Sequence, residues 1–365
     1  MIITKKFVDL LLQNKIHFFS GVPDSCTNNF CNELSQRKNI KNFTAPNEGI
    51  AVSLGIGHYL STKKIPLVYL QNSGLGNATD PITNLMSKYV YNIPLILLIG
   101  RRGAPKVKDE NQHVIQGKSL PAVLKQYEIK YIEIKTDSDF FKVKKLISIA
   151  KKKSIRIAII INPNTFSKVL RNNSNRSKIS RYDLLNILLT KIKDNTKIIS
   201  SVGYNSRELF YLRQKFKNKK KGKDFLVVGG MGHTFPIAIS QQEFDPKSST
   251  ICIDGDGSFY MHLGSFALLK NFRLNKMKYI LLDNNSHESI GGQLIDFKLD
   301  VKKFSIAAGF KKYYLLKDPK KINQTLNNFL KSKKSIFLHV KIKTGSIIKN
   351  LPRPKDFKKI LYNFT

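Results

Sequence analysis

Short runs of apolar residues alternate along the chain with longer stretches in which apolar and polar residues are mixed. Most of the short runs are continuously apolar and have the length of a β-strand, as expected for strands that are buried on both faces of a sheet. Such strands, alternating with helical stretches, predict βαβ units and parallel sheets. The predicted strands lie near residues 16–19, 66–70, 94–99, 156–161, 197–200, 225–228, 251–254, 279–282 and 336–340.

A polar, basic stretch rich in Asn and Ser separates two such series of strands. We therefore predict an α/β protein with two doubly wound parallel-sheet domains, at residues 1–165 and 182–365, joined by a linker at 166–181. Doubly wound sheets bind their ligands beyond the carboxyl ends of the strands. The residues that carry chemistry are therefore expected at those strand ends.

Composition places the chain among folded intracellular proteins. The 365 residues are 41% hydrophobic, and no apolar run reaches the length of about 18 residues that a bilayer-spanning helix needs. Asp9 interrupts the first apolar stretch, which is not followed by a signal-peptide cleavage pattern. The three cysteines, Cys26, Cys31 and Cys252, show no CxxC spacing, so neither a disulfide framework nor a cysteine-based zinc site is expected. We predict a cytoplasmic protein without a membrane-spanning segment.

The formal net charge of +38 allows a second class of function, a basic nucleic-acid-binding α/β protein. However, only 11 of the 63 basic residues are Arg, whereas phosphate contacts usually favour Arg. The lysines are scattered, and the chain is also rich in Asn and Ile, which favours compositional bias as the explanation. We therefore do not expect a nucleic-acid partner, although the charge would help to attract an anionic substrate.

Oxygen-bearing side chains follow two of the predicted strands in the second half. The strand at 251–254 runs into a turn formed by Gly255, Asp256, Gly257 and Ser258. Glycines allow a sharp turn and close approach of a ligand, and the Asp256 carboxylate can hold a hard divalent cation. The strand at 279–282 also ends in carboxylate and amide side chains, at residues 283–286. Two strand ends with oxygen donors predict a site for Mg²⁺ and a diphosphate.

The Gly-Asp-Gly-Ser turn followed by an Asn-rich strand end resembles the signature of thiamine diphosphate-dependent enzymes. Further segments resemble the decarboxylases of that family, in particular the phosphonopyruvate and sulfopyruvate decarboxylases; they lie at residues 21–25, 71–77, 109–117 and 287–293. The resemblance extends from about residue 16 to 345. Larger keto-acid decarboxylases carry a third, central domain, for which 365 residues leave no room.

The resemblance implies thiamine diphosphate and Mg²⁺ as cofactors. Glu48 would lie near N1′ of the aminopyrimidine, Met231 beneath the cofactor, and the Gly229 carbonyl opposite the 4′-amino group. The full set of cofactor-binding residues implied is Glu48, Gly203, Gly229, Met231, Gly255, Gly257 and Ser258. At the start of the second domain Val202 departs from the Thr-Gly turn of the family, so only Gly203 and the following helix start are expected to contact the diphosphate there.

The metal ligands implied are Asp256, an asparagine and the Ser286 carbonyl. Two registers are open, because either Asn284 or Asn285 can occupy the ligand position. The longer match, at residues 287–293, favours Asn284.

The reaction implied is decarboxylation of 3-phosphonopyruvate to phosphonoacetaldehyde and CO₂, in phosphonate biosynthesis, with sulfopyruvate as the alternative substrate. The resemblance also implies a homodimer or higher homo-oligomer with sites between subunits. Glu48, His113 and Asp24 are the candidate catalytic residues. The candidates for binding the keto acid are Asp24, Ser25, Arg102, Gln112 and His113, and Lys108 is a further cation near the same strand end.

Overall fold

The computed structural model describes residues 1–170, 177–215, 221–272, 276–295 and 297–365. The chain divides into two compact units. The first comprises Met1–Asn173 with Ile290–Gln293, and the second comprises Ser174–Ser289 with Leu294–Thr365.

The predicted linker at 166–181 lies partly outside the described residues, at 171–176. On one side of that gap, Phe166 is buried and forms a bridge with Ile2. On the other side, Ile179 forms a bridge with Ile342. The described parts of this stretch are thus packed onto their own units.

The first unit is a parallel sheet with helices on both faces. Its strands are β1 (Phe18–Gly21), β2 (Lys41–Thr44), β3 (Leu67–Gln71), β4 (Leu95–Gly100), β5 (Lys130–Glu133) and β6 (Arg156–Ile161). Its helices are α1 (Thr4–Gln13), α2 (Asn28–Ser35), α3 (Glu48–Thr62), α4 (Leu75–Asp80), α5 (Val114–Gln126) and α6 (Phe140–Lys153). Within the described residues the strand order is β2-β1-β3-β4-β6-β5.

The second unit is built in the same way. Its strands are β7 (Thr196–Ser200), β8 (Lys223–Leu226), β9 (Ser249–Gly255), β10 (Lys278–Asp283), β11 (Ser286–His287), β13 (Lys312–Leu316) and β14 (Ile336–Lys341). The short strand β12 (Gln293–Leu294) begins with the last residue assigned to the first unit and ends in the second. Its helices are α7 (Arg181–Lys191), α8 (Tyr204–Lys215), α9 (Thr234–Phe244), α10 (Asp256–Met261), α11 (Val301–Ala308), α12 (Ile322–Lys331) and α13 (Phe357–Phe364). In this part of the structure the main sheet has the order β13-β14-β10-β9-β7-β8, with parallel pairing throughout.

The predicted fold class is confirmed. Each predicted strand is present within a few residues, in two doubly wound parallel sheets, and the described residues contain no third compact unit. The central strands β4, β6 and β10 are buried along their whole length, which is why their sequences are almost continuously apolar. Apolar clusters cover both faces of each sheet.

Three edge or near-edge strands, β2, β5 and β13, were not predicted. They carry charged and half-exposed residues such as Lys41, Lys130 and Lys312, because one side of an edge strand faces solvent. The strand predicted at 225–228 lies two residues earlier, at β8. Among the described residues, no helix is both long enough and apolar enough to cross a bilayer.

Candidate active site

In the first unit, Glu48 is the first residue of α3 and lies just beyond the carboxyl end of β2. The Asn47 side chain caps the helix by accepting a hydrogen bond from the Ile50 N–H at 2.9 Å. Glu48 is only 5% exposed, and Asn77 Nδ2 donates to its Oε2 at 2.7 Å. Burial raises the pKa of Glu48, and the opposing hydrogen bond from Asn77 does not cancel that effect. The buried carboxyl group is therefore predisposed to carry a proton.

Gly74 makes room for this carboxyl group. A Cβ atom at position 74 would lie 2.3 Å from Glu48 Oε1, well inside van der Waals contact. Any other residue at position 74 would therefore displace Glu48 from the helix start. This packing explains why the segment 71–77 carries a glycine here and ends in Asn77, the hydrogen-bond donor to Glu48.

Asp24 follows β1. The direction in which successive strands are added to the sheet reverses between β1 and β3. Asp24 Oδ1 accepts hydrogen bonds from the backbone N–H groups of Thr27, at 2.8 Å, and Cys26. Its Oδ2 is buried and has no hydrogen-bond partner among the described residues. Burial raises the pKa of Asp24 to about 6, despite these hydrogen bonds and the charge of Arg102. This side chain is therefore a second carboxyl group predisposed to hold a proton.

Asp109 organises the predicted substrate-binding residues beyond β4. It accepts hydrogen bonds from Arg102 Nε at 2.8 Å and Arg102 Nη2 at 2.5 Å, and from the backbone N–H groups of Gly103 and Glu110. His113 Nδ1 lies 3.0 Å from the same carboxylate. Although burial raises the pKa of Asp109, the hydrogen bonds from Arg102 and His113 outweigh burial and hold it well below its usual range. We call Arg102, Asp109 and His113 the Asp109 cluster.

The remaining predicted residues of this unit have different surroundings. Ser25 accepts a hydrogen bond from Arg102 Nη1 at 2.8 Å and so joins the Asp109 cluster to the β1 end. Gln112 donates to Glu110 at 2.6 Å, and Lys108 is exposed. The first unit thus brings Asp24 and Ser25, at the end of β1, together with the Asp109 cluster, beyond the end of β4.

In the second unit, Asp256 lies at the carboxyl end of β9 and begins α10. Its Oδ2 accepts hydrogen bonds from the backbone N–H groups of Asn284, at 3.1 Å, and Ser286, at 3.3 Å. The Ser286 N–H also lies 3.1 Å from Asn284 Oδ1. Asn285, by contrast, is exposed and has a left-handed backbone with a φ of 58°. Of the two registers left open by the sequence, the surroundings of Asn284 fit the ligand position better.

A second carboxylate, Asp283, lies close to Asp256. Burial and the charge of Asp283 raise the pKa of Asp256 to about 7. Asp283 is itself buried, but hydrogen bonds from His339, at 2.7 Å, and Lys341 outweigh burial and lower its pKa to about 2. The Asp256 carboxylate, the Asn284 amide oxygen and the backbone carbonyl of Ser286 would supply oxygen donors of the kind that a hard cation such as Mg²⁺ prefers. The residues present therefore fit Mg²⁺. No group of three His, Cys, Asp or Glu side chains suited to a metal occurs in the described part of the chain.

The loop between β8 and α9 contains the residues predicted to hold the pyrimidine. Gly229 lies in this loop with a φ of 75°, and the Gly232 N–H donates to the buried Ser258 hydroxyl at 3.0 Å. Met231 lies against Gly257, where a Cβ atom would be 3.1 Å from the Met231 methyl group. The loop is thus packed directly on the Gly-Asp-Gly-Ser turn.

At the β7 end, Gly203 immediately precedes α8 and has a φ of 92°. Val202 carries no hydroxyl group, but Ser201 accepts a hydrogen bond from the Gly255 N–H at 3.2 Å. The residues predicted in this unit, from Gly203 to Ser286, therefore lie at the ends of the adjacent strands β7, β9 and β10 and in the loop after β8.

Sequence reasoning assigned no role to several residues that hold these groups in place; they are Asn77, Asp109, Ser201, His339 and Lys341. Asn77 and Asp109 lie within segments that resemble the family, and a search for polar partners inside those segments could have found them. His339 and Lys341 carry no such signal, because only the parallel pairing of β10 with β14 brings them to Asp283.

Comparison with known proteins shows that each unit matches the model of a known protein domain. Residues 1–129 match the family model described as the N-terminal TPP binding domain of thiamine pyrophosphate enzymes, and residues 202–340 match that of the C-terminal TPP binding domain. The chain is 25% identical over 356 residues to phosphonopyruvate decarboxylase of Streptomyces viridochromogenes, covering 92% of this chain and 87% of that protein. It is 24% identical to the enzyme of the same name from Streptomyces hygroscopicus, covering 92% and 86%.

Sulfopyruvate decarboxylase subunit alpha of Methanococcus maripaludis is 31% identical over 133 residues, which cover 36% of this chain and 77% of that subunit. The chain belongs to the thiamine diphosphate-dependent decarboxylase family, and is accordingly an enzyme of the carboxy-lyase class. The resemblance seen in the sequence is confirmed.

Proposed function

We propose that this enzyme decarboxylates 3-phosphonopyruvate to phosphonoacetaldehyde and CO₂, with thiamine diphosphate and Mg²⁺, and acts in phosphonate biosynthesis. The observation that carries the proposal is the relationship to two phosphonopyruvate decarboxylases over 92% of the chain. The match to the sulfopyruvate decarboxylase subunit covers 36% of the chain. Sulfopyruvate is therefore the alternative substrate.

Thiamine diphosphate, when bound, supplies the electron sink that loss of CO₂ requires. In the second unit we assign the cation to Asp256, Asn284 and the Ser286 carbonyl, and the diphosphate to the backbone at Gly203, Gly255, Gly257 and Ser258. Met231 and Gly229 would hold the aminopyrimidine. In the first unit Glu48 would hold a proton toward N1′ of that ring, since burial raises the pKa of its carboxyl group.

The substrate is an anion, and we assign its recognition to the Asp109 cluster together with Ser25. Asp109 and Ser25 occupy some of the Arg102 N–H groups, which leaves part of the guanidinium for an anionic head group. His113, oriented by Asp109, is the second donor. We assign proton transfer to Asp24, because its raised pKa lies near neutral pH, where an acid–base group works best.

We further propose a homodimer or higher homo-oligomer in which each site draws Glu48 from one subunit and Asp256 from another. An inactive Glu48→Gln chain and an inactive Asp256→Ala chain should regain part of the activity when they are reassembled together. A mixture that stays inactive although hybrids demonstrably form would refute the shared site. The three cysteines are buried, and we propose the reducing cytoplasm that the sequence predicts as the location of the enzyme.

The substrate assignment is tested by assaying phosphonopyruvate and sulfopyruvate side by side, with thiamine diphosphate and Mg²⁺ added by titration. We expect kcat/KM to favour phosphonopyruvate by about tenfold or more, because differently charged head groups place different demands on the same polar donors. A preference for sulfopyruvate would replace the proposed substrate by the alternative. The Glu48→Gln protein serves as the blank for spontaneous loss of CO₂.

A further inference from the structure

Three charged side chains, two of them buried and one partly buried, form a group next to the predicted cation site in the second unit. Arg181 begins α7 and is only 3% exposed. Its Nη1 donates to Glu208 of α8 at 3.2 Å, and its Nη2 donates to Glu288, in the turn after β11. None of these residues belongs to the cofactor or metal set. We call them the Arg181 triad.

Glu288 connects the triad to the predicted metal ligand. Its Oε2 accepts a hydrogen bond from Asn284 Nδ2 at 2.7 Å, in addition to the one from Arg181. Its Oε1 accepts a hydrogen bond from the Gly345 N–H. Arg181 and Gly345, in two other segments of the chain, therefore hold the Glu288 carboxylate while it contacts Asn284.

The contact between Glu288 and Asn284 matters because the two ends of an asparagine amide have nearly the same shape, although the oxygen accepts hydrogen bonds and the NH₂ group donates them. Only the Oδ1 end can coordinate a cation, whereas the Nδ2 end would place N–H groups against it. Asp256 also attracts the Nδ2 end, since a carboxylate accepts hydrogen bonds. Glu288 presents a competing carboxylate on the other side of Asn284 and takes the Nδ2 end, so that Oδ1 lies on the Ser286 side.

The buried charges support a role beyond stability. Burying an ion pair costs desolvation free energy that its attraction seldom exceeds, and apolar side chains of similar volume often stabilise a core as well. Arg181 donates to both glutamates, and of the two it is Glu288 that also accepts the hydrogen bond from the Asn284 amide. Charged groups that order a metal ligand through a hydrogen bond are common behind metal sites.

We propose that Glu288 is a positioning residue that orients the Asn284 amide so that its oxygen serves the cation, and that Arg181 holds Glu288 in place. The inference rests on the proposed Mg²⁺ site.

The test measures Mg²⁺ binding by calorimetry, without turnover, on the full-length protein saturated with thiamine diphosphate. Glu288→Gln should weaken Mg²⁺ binding about tenfold or more, because a glutamine can present either end of its own amide to Asn284. Two variants are matched controls. Glu208→Gln removes a charge from the same triad without touching Asn284, and Asp224→Asn removes a carboxylate from the Arg213–Asp224 pair elsewhere in the unit. Both should leave Mg²⁺ binding unchanged.

A double substitution separates orientation from general structure. With aspartate at position 284 both ends of the side chain are oxygens, so orientation no longer matters. Glu288→Gln should then cause no loss of Mg²⁺ affinity in an Asn284→Asp background. Should the Glu288→Gln protein fail to fold by circular dichroism, Glu288→Asp gives the same comparison, since it keeps the charge for Arg181 and withdraws the carboxylate from Asn284.

The inference is overturned if Glu288→Gln binds Mg²⁺ like the wild type, if Glu208→Gln weakens binding equally, or if the loss persists in the Asn284→Asp background. Failure of the proposed function gives a different result. In that case the wild-type protein itself shows no Mg²⁺-dependent binding of thiamine diphosphate.

Discussion

The two units share one strand order but carry different chemistry at corresponding strand ends. The order β2-β1-β3-β4-β6-β5 of the first unit corresponds strand by strand to β8-β7-β9-β10-β14-β13 of the second. Glu48 after β2 thus corresponds in position to Met231 in the loop after β8. Likewise, Asp24 after β1 corresponds to Gly203 after β7. A common backbone topology supplies the places for functional residues, and the side chains decide which ligand is bound there.

The carboxyl groups at the strand ends of the two units also have different charged neighbours. In the first unit, burial raises the pKa values of Glu48 and Asp24, which favours neutral carboxyl groups that hold protons. In the second unit, Asp256 lies beside Asp283, whose charge is held by His339 and Lys341. That arrangement concentrates negative charge where a cation would relieve it. This difference supports our proposal that the first unit handles protons and the second binds a cation.

The largest expected effect is that of Glu48→Gln, which keeps the shape of the side chain but removes its acid–base function. We expect kcat to fall by about 10²-fold or more, with the affinity for thiamine diphosphate nearly retained. Steady-state kinetics and calorimetry of cofactor binding measure the two quantities. Glu33→Gln is the control, because Glu33 is also buried in the first unit but pairs with Arg37. Equal losses in both variants, or activity near that of the wild type in Glu48→Gln, would argue against a proton-handling role.

Asp256→Ala tests the cation-binding half of the comparison. Removing the carboxylate should weaken Mg²⁺-dependent binding of thiamine diphosphate by at least about tenfold, since a direct ligand should matter no less than the residues behind it. Calorimetric titration with and without Mg²⁺ measures the effect. Asn284→Ala should be more damaging than Asn285→Ala, because Asn284 is the buried residue beside Asp256. The reverse order would assign the ligand to Asn285.

Asp109→Asn tests whether the charged cluster of the first unit holds its strand ends together. Replacing the carboxylate places an amide N–H against the donors of Arg102, so we expect the free energy of unfolding to fall by about 2 kcal/mol. Urea denaturation measures it. Asp137→Asn is the control, because its ion pair with Lys6 is well exposed and should contribute less than about 1 kcal/mol. Equal effects of the two substitutions would mean that the Asp109 cluster is no stronger than a surface pair.

The most gradual expected effect is a pH dependence of stability that arises from Asp24. The pKa of Asp24 is about 6 in the folded protein, against an ordinary value of 3.8, so between these pH values the folded state binds more protons than the unfolded state. The free energy of unfolding should therefore fall as pH rises through this window, with a slope of at most about 1.4 kcal/mol per pH unit from this group. Denaturation at several pH values should show a shallower fall for Asp24→Asn. Parallel curves for the two proteins would show that burial does not raise this pKa.

Much of the fold could be predicted because burial on both faces leaves a direct trace in the sequence. The strands β4, β6 and β10 are almost continuously apolar and were found within two residues of their observed bounds. The edge strands β2 and β13 were missed, because solvent on one side permits lysines and removes the apolar pattern. The reversal of winding in each sheet cannot be seen in a one-dimensional pattern either.

Some residues of the candidate site could likewise be predicted from the sequence, whereas others could not. Residues in one continuous turn, such as Gly255 to Ser258, could be assigned from local spacing, since backbone geometry within a turn depends on near neighbours. The contact between Asn77 and Glu48 was missed, because the rest of α3 and the strand β3 lie between the two residues in the chain. Arg102 was predicted as a cation for the substrate, and the structure shows that Asp109 and Ser25 share its guanidinium.

The sequence by itself determined the apolar strands, the glycine-rich turn and the membership of a thiamine diphosphate family, because each depends on residues close together along the chain. Only the tertiary structure decided which polar groups meet. Asp283 reaches His339 through the pairing of β10 with β14, and Arg181 reaches Glu288 across more than a hundred residues. Hydrogen bonds and ion pairs act over a few ångströms in space, so their partners depend on how the sheets wind and on which strand ends become neighbours.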